Sequence, residues 1–437
     1  MPGSRPTGRA RQPGIDSSPD WSARIITPAA ALTGANAGSF AAVNPASPGE
    51  PISHTDRSVS AERTAALAER LNPRLVKQSF ARVSADAPAA MEYFYARLFT
   101  LNPSIRSLFP TSMTVQREQM FAALMRLIWS LDSQPECTEL LRRLGREHRR
   151  FGVLDKHYAA FFAALRDTVR HCVGTAWTTE TASAWQGALD YFAVTMRRAA
   201  AEASGSLPWW VAEIVSHELR SPGIAVLRLR TEQPLPYLAG QYVPVQVTRW
   251  PRTWRPYSIA TAPRPTGLLE LHVRAVPGGL VSNTLVYQSD VGDCVLLGAA
   301  DGAMTLAETD RDLVCVAGGT GLAPIKAIVE QAISLERTGQ PRKITLFVGA
   351  RQQFDLYDLE DLQLLEATCP QLRVIPVLSE QPSFAGRTGL LPEVAAEDGL
   401  FENAEVYVCG PDAMVRQTTA LFGARVPPGQ IHYDEPP

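Results

Sequence analysis

Cysteine is scarce, and the little there is forms no pattern. The six residues Cys137, Cys172, Cys294, Cys315, Cys369 and Cys409 include no Cys-x-x-Cys pair, and several lie in apolar runs where small buried residues belong. Their scatter argues against a cysteine-ligated metal and implies a reduced, cytoplasmic protein. Long hydrophobic runs are missing as well. No stretch approaches the roughly 20 apolar residues that cross a bilayer, and the amino terminus lacks the apolar core of a secretory signal. A soluble chain with no membrane segment is expected. An excess of charge of one sign is the third absence: a formal charge of -2 argues against a nucleic-acid partner.

What is present divides the chain. With 437 residues, 45% of them hydrophobic, there is material for two or three domains with cores of their own. Residues 1–59 are rich in Pro, Ala, Ser and Gly and hold few large apolar side chains, so ordering them costs more entropy than their contacts return; they read as a disordered extension. Residues 60–204 are helical almost throughout, with proline kept to breaks such as Asn102-Pro103, Phe109-Pro110 and Gln134-Pro135. Residues 205–308 change to alternating periodicity, with strands expected at 211–216, 224–231, 242–248, 256–261, 268–276 and 294–297. Six short strands suggest a closed antiparallel barrel. Residues 309–437 alternate strands, at 313–317, 344–348, 372–378 and 406–409, with helices, which describes a parallel doubly wound sheet. The fold class is therefore multidomain: all-α, then antiparallel β-barrel, then doubly wound α/β.

In the helical part, Leu140, Leu141, Leu144, His148 and Phe151 recur at spacings of three and four, which puts His148 on the apolar stripe of a helix that Gly152 can stop. Arg142, Arg143, Arg146, Arg149 and Arg150 fall on other faces. They read most simply as a solvated surface, and alternatively as a docking surface between domains. Alone, His148 reads more readily as a hydrogen-bonded core residue than as a ligand.

Its surroundings change that reading. The succession FYARLFTLNPSIRSLFP, VQREQMF and LGREHRRFGVLDKHY resembles the globin domain of flavohaemoglobins, over essentially the whole helical region. By that resemblance His148 is the proximal ligand of a haem b iron, Phe109 packs on the haem, Tyr95 and Gln116 line the ligand-binding side, and Met120 is the apolar neighbour above the iron. The resemblance also implies that Tyr158, ten residues after His148, and Glu202 on the last helix orient the imidazole and raise its basicity. A tyrosine hydroxyl can donate a hydrogen bond to a partly negative bound ligand, and a glutamine amide can steady that hydroxyl.

The barrel carries Arg255-Pro256-Tyr257-Ser258, which resembles the RxYS flavin signature of the ferredoxin-reductase superfamily. There the tyrosine packs on the flavin ring, the serine bonds it and the arginine neutralises the FAD pyrophosphate. Tyr242, after Gly240-Gln241, fits the same template, as do Gly279, Val281 and Ser282 in a glycine-rich loop at a helix start. In the last domain Gly318, Gly319, Thr320, Gly321 and Pro324 follow a strand and open a helix, the context that cradles a dinucleotide pyrophosphate. Cys409, Gly410 and Pro411 match the family's second loop, at which nicotinamide approaches flavin. The chain departs from the family at its carboxyl end, where Asp434 replaces the acid and no flavin-stacking aromatic follows, and at Glu147, where a lysine is usual before the histidine; its negative charge would lower the haem potential if it lies close.

The resemblance implies an enzyme loaded with haem b, FAD and NADH or NADPH, which acts on nitric oxide and oxygen to give nitrate. A gas sensor or oxygen-binding protein with a maintenance reductase is the alternative from another class, and a haem-linked reductase for peroxides, quinones or other acceptors is the third. The choice between NADH and NADPH stays open: Arg351 after Gly349-Ala350 suits a 2′-phosphate but equally an acid such as Asp355.

Overall fold

The computed structural model describes residues 64, 66–69, 71–336, 342–399 and 403–434. The expected disordered extension, residues 1–59, lies outside the described residues, as do the three positions after Asp434.

The helical part comprises α1 (Pro73–Ser84), α2 (Ala87–Leu101), α3 (Thr114–Trp129), α4 (Gln134–His148), α5 (Asp155–Val173) and α6 (Thr179–Glu202). Helix α1 does not stand out in the sequence, yet Asn72 caps it through Leu75 N–H and Val76, Phe80 and Val83 bury its apolar face. Phe80 is joined in the core by Trp185 and Phe192, and the Trp185 indole N–H donates to Ser79 Oγ at 2.7 Å. A buried indole needs such a partner.

Helix α4 ends at His148 and tightens into a 3-10 turn, Arg149–Phe151, which Gly152 closes at φ 73°. The stop expected there is where the chain makes it, because a left-handed residue costs glycine nothing. Gly145 sets the helix's depth: a Cβ there would collide with the Met196 carbonyl of α6, so only glycine lets the two helices cross this closely.

Strands β1 (Trp210–Ser221), β2 (Ile224–Thr231), β3 (Tyr242–Val247), β4 (Arg255–Ser258), β5 (Leu268–Arg274) and β6 (Cys294–Leu297) pair antiparallel in the order β4-β3-β6-β1-β2-β5. Ile259, just past β4, bridges Leu271 of β5 and closes the barrel. The first strand outruns its expected span because two register shifts let it bend and continue beside β2. Helix α7 (Leu280–Tyr287) packs its Val281, Leu285 and Val286 into the barrel core.

The last part is a parallel sheet in the order β10-β9-β8-β7-β11-β12, with β7 (Asp312–Gly318), β8 (Ile344–Ala350), β9 (Leu372–Leu378), β10 (Arg387–Thr388), β11 (Ala404–Cys409) and β12 (Ile431–His432). Helices α8 (Leu322–Glu336), α9 (Leu359–Thr368), α10 (Leu391–Glu397) and α11 (Asp412–Gly423) complete it. The two-residue edge strands and α10 are too short to leave a periodic signal in sequence. The chain reverses direction of growth between β8 and β11 on either side of β7, and such a switch point is where open α/β sheets take ligands.

The arginines around His148 divide: Arg142 and Arg146 pair with Glu202 and Glu139 on the helical part's own surface, while the other three turn toward the barrel part. Arg149 donates to Ser206 Oγ at 3.1 Å and to its carbonyl at 2.7 Å, Arg143 lies 4.0 Å from Asp301 of the barrel part, and Arg150 sits over the ring of Trp254. For Arg143, Arg149 and Arg150 the docking alternative is the one the molecule uses.

Candidate functional site

His148 is partly buried, and its Nδ1–H donates to the Leu144 carbonyl one turn back at 2.5 Å. That fixes the tautomer and leaves Nε2 as the nitrogen with a free lone pair. Burial pulls the imidazole pKa down, against the Leu144 bond that raises it, and the Arg150 charge lowers it further. A neutral imidazole with one nitrogen committed is the donor that a haem iron takes.

Tyr95 and Gln116 are brought together. Gln116 Nε2 donates to the Tyr95 hydroxyl at 3.3 Å, so the phenol's own proton stays available. Phe99 and Phe109 stand against the Tyr95 ring at 5.8 and 5.5 Å and against each other at 5.7 Å. This dry wall pushes the Tyr95 pKa up to about 12, with burial outweighing the Gln116 bond and the Arg117 charge. Met120, one turn after Gln116 on α3, packs partly buried against the same core.

Tyr158 and Glu202 are not joined to His148. Glu202 Oε2 accepts from Arg142 at 2.9 Å and Oε1 from Arg198 at 2.7 Å, so both of its oxygens are claimed by cations. The Arg198 pair is an i,i+4 neighbour on one helix, legible in the sequence and stronger than an alignment to a distant acid. Tyr158 is buried, lies stacked 6.2 Å from Phe162, and makes no hydrogen bond among the described residues; burial lifts its pKa to about 12. The imidazole is oriented by Leu144 instead. Glu147 is compensated too, 3.8 Å from Arg143 and 3.6 Å from Arg150.

On the barrel, β3 and β4 set Tyr242 opposite Ser258 and Val245 opposite Arg255. The Tyr242 hydroxyl donates to Asp301 at 3.3 Å. The Arg255 guanidinium meets no carboxylate among the described residues, only the Trp254 carbonyl at 2.8 Å, which leaves its charge for an anion. Burial raises the Tyr257 pKa to about 12, against the Arg255 charge. Gly279 opens α7 where a Cβ would strike Ser282 Oγ, and Asn283 Nδ2 ties the loop by donating to the Val276 and Gly279 carbonyls at 2.8 and 2.6 Å. A glycine turn at a helix start and, on the same barrel, an arginine without a carboxylate partner among the described residues are the groups that the pyrophosphate of a flavin dinucleotide takes. Replacing Arg255 and Ser258 together by alanine should deplete bound FAD in the purified protein; full flavin content would reject this placement.

The two loops of the last domain meet. A Cβ on Gly321 would lie 2.5 Å from the Cys409 carbonyl carbon and oxygen and 2.6 Å from Gly410 N, and one on Gly318 would lie 2.6 Å from Met414 Sδ and 3.1 Å from Pro411 Cδ. Gly319 adopts φ 56°, Thr320 stands between these glycines in a single 3-10 turn, and Pro324 sits in the first turn of α8. The arrangement keeps backbone close to whatever rests on the switch point, as a nicotinamide dinucleotide requires. Burial carries the Cys409 thiol pKa to about 12, so it stays protonated. Asp434 accepts from the Ala303 and Met304 N–H groups, each at 3.2 Å, and thereby draws the carboxyl end against the barrel. Arg351 pairs with Glu380 at 3.6 Å rather than with Asp355.

Sequence reading missed a buried polar network between barrel and sheet. Lys326 of α8 donates to Glu270 Oε1 at 3.0 Å and to Asp358 Oδ2 at 2.8 Å; His272 pairs with Glu270 at 2.9 Å and with the Tyr357 hydroxyl at 2.7 Å.

The comparisons agree with this anatomy. Residues 92–196 match the globin family, residues 211–305 the oxidoreductase FAD-binding domain and residues 315–420 the oxidoreductase NAD-binding domain. The flavohaemoglobin of Malassezia yamatoensis, solved with FAD and haem, superposes at a TM-score of 0.63 over 82% of this chain and 98% of its own, at 17% identity. This chain has the flavohaemoglobin architecture. Among curated relatives, the xylene/toluene monooxygenase electron transfer component of Pseudomonas putida is 37% identical over 44% of this chain and 55% of its own length. The ferredoxin–NAD(P)(+) reductase component of Ralstonia naphthalene 1,2-dioxygenase/salicylate 5-hydroxylase systems is 36% identical over 50% and 65%. The flavohaemoglobin-like chain thus spans less than two thirds of the length of either relative. Its three matched segments are those of a globin, an oxidoreductase FAD-binding domain and an oxidoreductase NAD-binding domain, the segments that haem, FAD and NAD(P)H would occupy. No helix among the described residues is long and apolar enough to cross a membrane.

Proposed function

We propose that this protein is a nitric oxide dioxygenase, which consumes nitric oxide and oxygen to give nitrate at the expense of NADH or NADPH. The observation that carries the reading is the Gln116–Tyr95 hydrogen bond beside the Phe99 and Phe109 rings, in a chain that also matches flavin- and nicotinamide-binding reductase domains. Bound haem supplies the iron at which the two gases meet, and bound FAD turns the two electrons of a hydride into single deliveries.

The chain's own residues do the rest. His148 presents Nε2 while the Leu144 carbonyl holds the ring from turning. Tyr95 offers its proton to the partly negative atom of a bound diatomic, Gln116 keeps that hydroxyl in place, and Phe99 and Phe109 exclude water, which strengthens the bond. Arg255 and Ser258 hold the flavin, and the paired glycine loops hold the nicotinamide against it. Tyr95→Phe should speed oxygen dissociation by roughly tenfold, the worth of a hydrogen bond to a charged acceptor, and slow turnover. Unchanged dissociation would reject the role of Tyr95.

The overall test follows nitric oxide, nitrate and NADH together in the haem- and FAD-loaded protein under air. One NADH per two nitric oxide with nitrate as product is the expected result, since a hydride re-reduces two irons. A second reading, a reductase serving another electron acceptor, draws on relatives that are components of oxygenase systems. Faster NADH oxidation with an added quinone, peroxide or protein acceptor than with nitric oxide would favour it.

A further inference from the structure

We propose that Phe151 and Trp254 are the route by which single electrons cross from the flavin barrel to the globin's haem, with Arg150 as the clamp that holds the two rings in register. The proposal rests on the cofactors each domain carries, and is independent of nitric oxide as substrate.

The side chains form a short chain of ring contacts. Phe151 lies one turn past the iron-ligand candidate His148, their ring centroids 6.2 Å apart at 68°. Its other neighbour is Trp254, at 6.4 Å and 84°. Trp254 is bonded directly to Arg255, the first residue of the flavin-holding strand. One aromatic from each domain therefore stands between the two candidate cofactor sites.

Arg150 is placed as a clamp. Its guanidinium carbon lies 4.9 Å from the Phe151 ring and 5.8 Å from the Trp254 ring, and its side chain is only 15% exposed. Its Nε finds no hydrogen-bond partner, and the nearest carboxylate, Glu147, is 3.6 Å away. The Glu147 carboxylate and the two ring faces together replace the water this cation gives up. The flanking contacts, Arg149 on Ser206 and Arg143 toward Asp301, hold the same junction from either side.

Each crossing removes one electron from the reduced flavin and turns one ferric iron ferrous. Two crossings return the pair that one nicotinamide hydride delivered, and the flavin's proton leaves to solvent, so one NADH reduces two irons.

The test uses the full chain loaded with haem and FAD, anaerobically and without nitric oxide, mixed rapidly with NADH while flavin bleaching and haem reduction are recorded separately. For Trp254→Ala the flavin should be reduced at the wild-type rate while haem reduction slows by roughly tenfold or more; Trp254→Phe, which keeps a ring, should recover most of the loss. Phe151→Leu should show the same defect from the globin side, and it decides the matter if Trp254→Ala loses FAD. Wild-type haem reduction in Phe151→Leu, or a Trp254→Phe variant as slow as Trp254→Ala, overturns the route. For the clamp, Arg150→Gln should raise backbone amide exchange at residues 149–152 and 253–254; unchanged exchange removes Arg150 from the proposal. A normal result here together with no consumption of nitric oxide would sink the dioxygenase reading and leave the route standing.

Discussion

Replacing Lys326 by methionine should destabilise the reductase part by about 3–5 kcal/mol, the usual cost of removing one partner from a buried ion pair. Methionine is close to lysine in shape, so the loss reads as charge rather than as a cavity. Lys326 is buried between Glu270 and Asp358, and without it both carboxylates face low-polarity surroundings with less cation to hold them. Glu270 keeps His272 and Arg228, at 2.9 and 3.0 Å, but Asp358 is left with Arg220 at 3.7 Å and an Oδ1 that already lacks a hydrogen bond. Because the network joins barrel and sheet in a multidomain chain, the measurement is urea-induced flavin release compared between variants rather than a single two-state fit. Adding Asp358→Asn to Lys326→Met should recover part of the loss, and a double variant no better than the single would mean the charge argument is wrong.

The same network sets an acid limit. Burial alone would raise the Glu270 pKa, but the His272 hydrogen bond and the Lys326 charge overcome it and hold the carboxyl well below its ordinary 4.5. A depressed folded value contributes stability that is fully present above the unfolded value and is lost as pH falls toward the folded one. Lys326 runs the other way. Burial opposes its charge, Asp358 and Glu270 prevail, and the raised folded value contributes stability present below 10.5 that fades as pH rises through that value. Lys326→Met should therefore move the acid limb of flavin release to higher pH, because Glu270 loses part of its depression.

None of this network could be read along the chain. Glu270 and Lys326 are 56 residues apart, and Lys326 and Asp358 are 32 apart, so no helical or strand period links them. Lys326 looks like an ordinary cation in an amphipathic helix. What was legible had a local physical cause: the apolar stripe that carries His148, the Gly152 stop, the RxYS strand whose register with β3 sets Ser258 opposite Tyr242, and the glycine turn after β7. The Arg150 clamp and Trp254 escaped because a junction between domains has no periodicity. Glu202 was assigned across a distance while its own helix held a closer partner, Arg198, four residues back.

Gly321→Ala should cut NADH-driven flavin reduction by roughly a hundredfold, because displacement of a positioning loop by about 1 Å can cost that much. The added methyl would lie 2.5 Å from the Cys409 carbonyl, and backbone is what it meets. Strands β7 and β11 pair from Asp312 with Ala404 to Ala317 with Cys409, so the second loop cannot retreat without breaking that ladder. Gly318→Ala is the control. Its methyl would meet the flexible end of Met414 at 2.6 Å, a thioether that can swing aside, and Pro411 Cδ at 3.1 Å, which a shift of a few tenths of an ångström relieves. The Gly318 variant should therefore keep much more of the NADH-dependent rate, while dithionite reduces the haem equally in both. Equal losses at the two glycines would show that loop flexibility matters there, and not the close approach of the two backbones that brings nicotinamide onto the flavin.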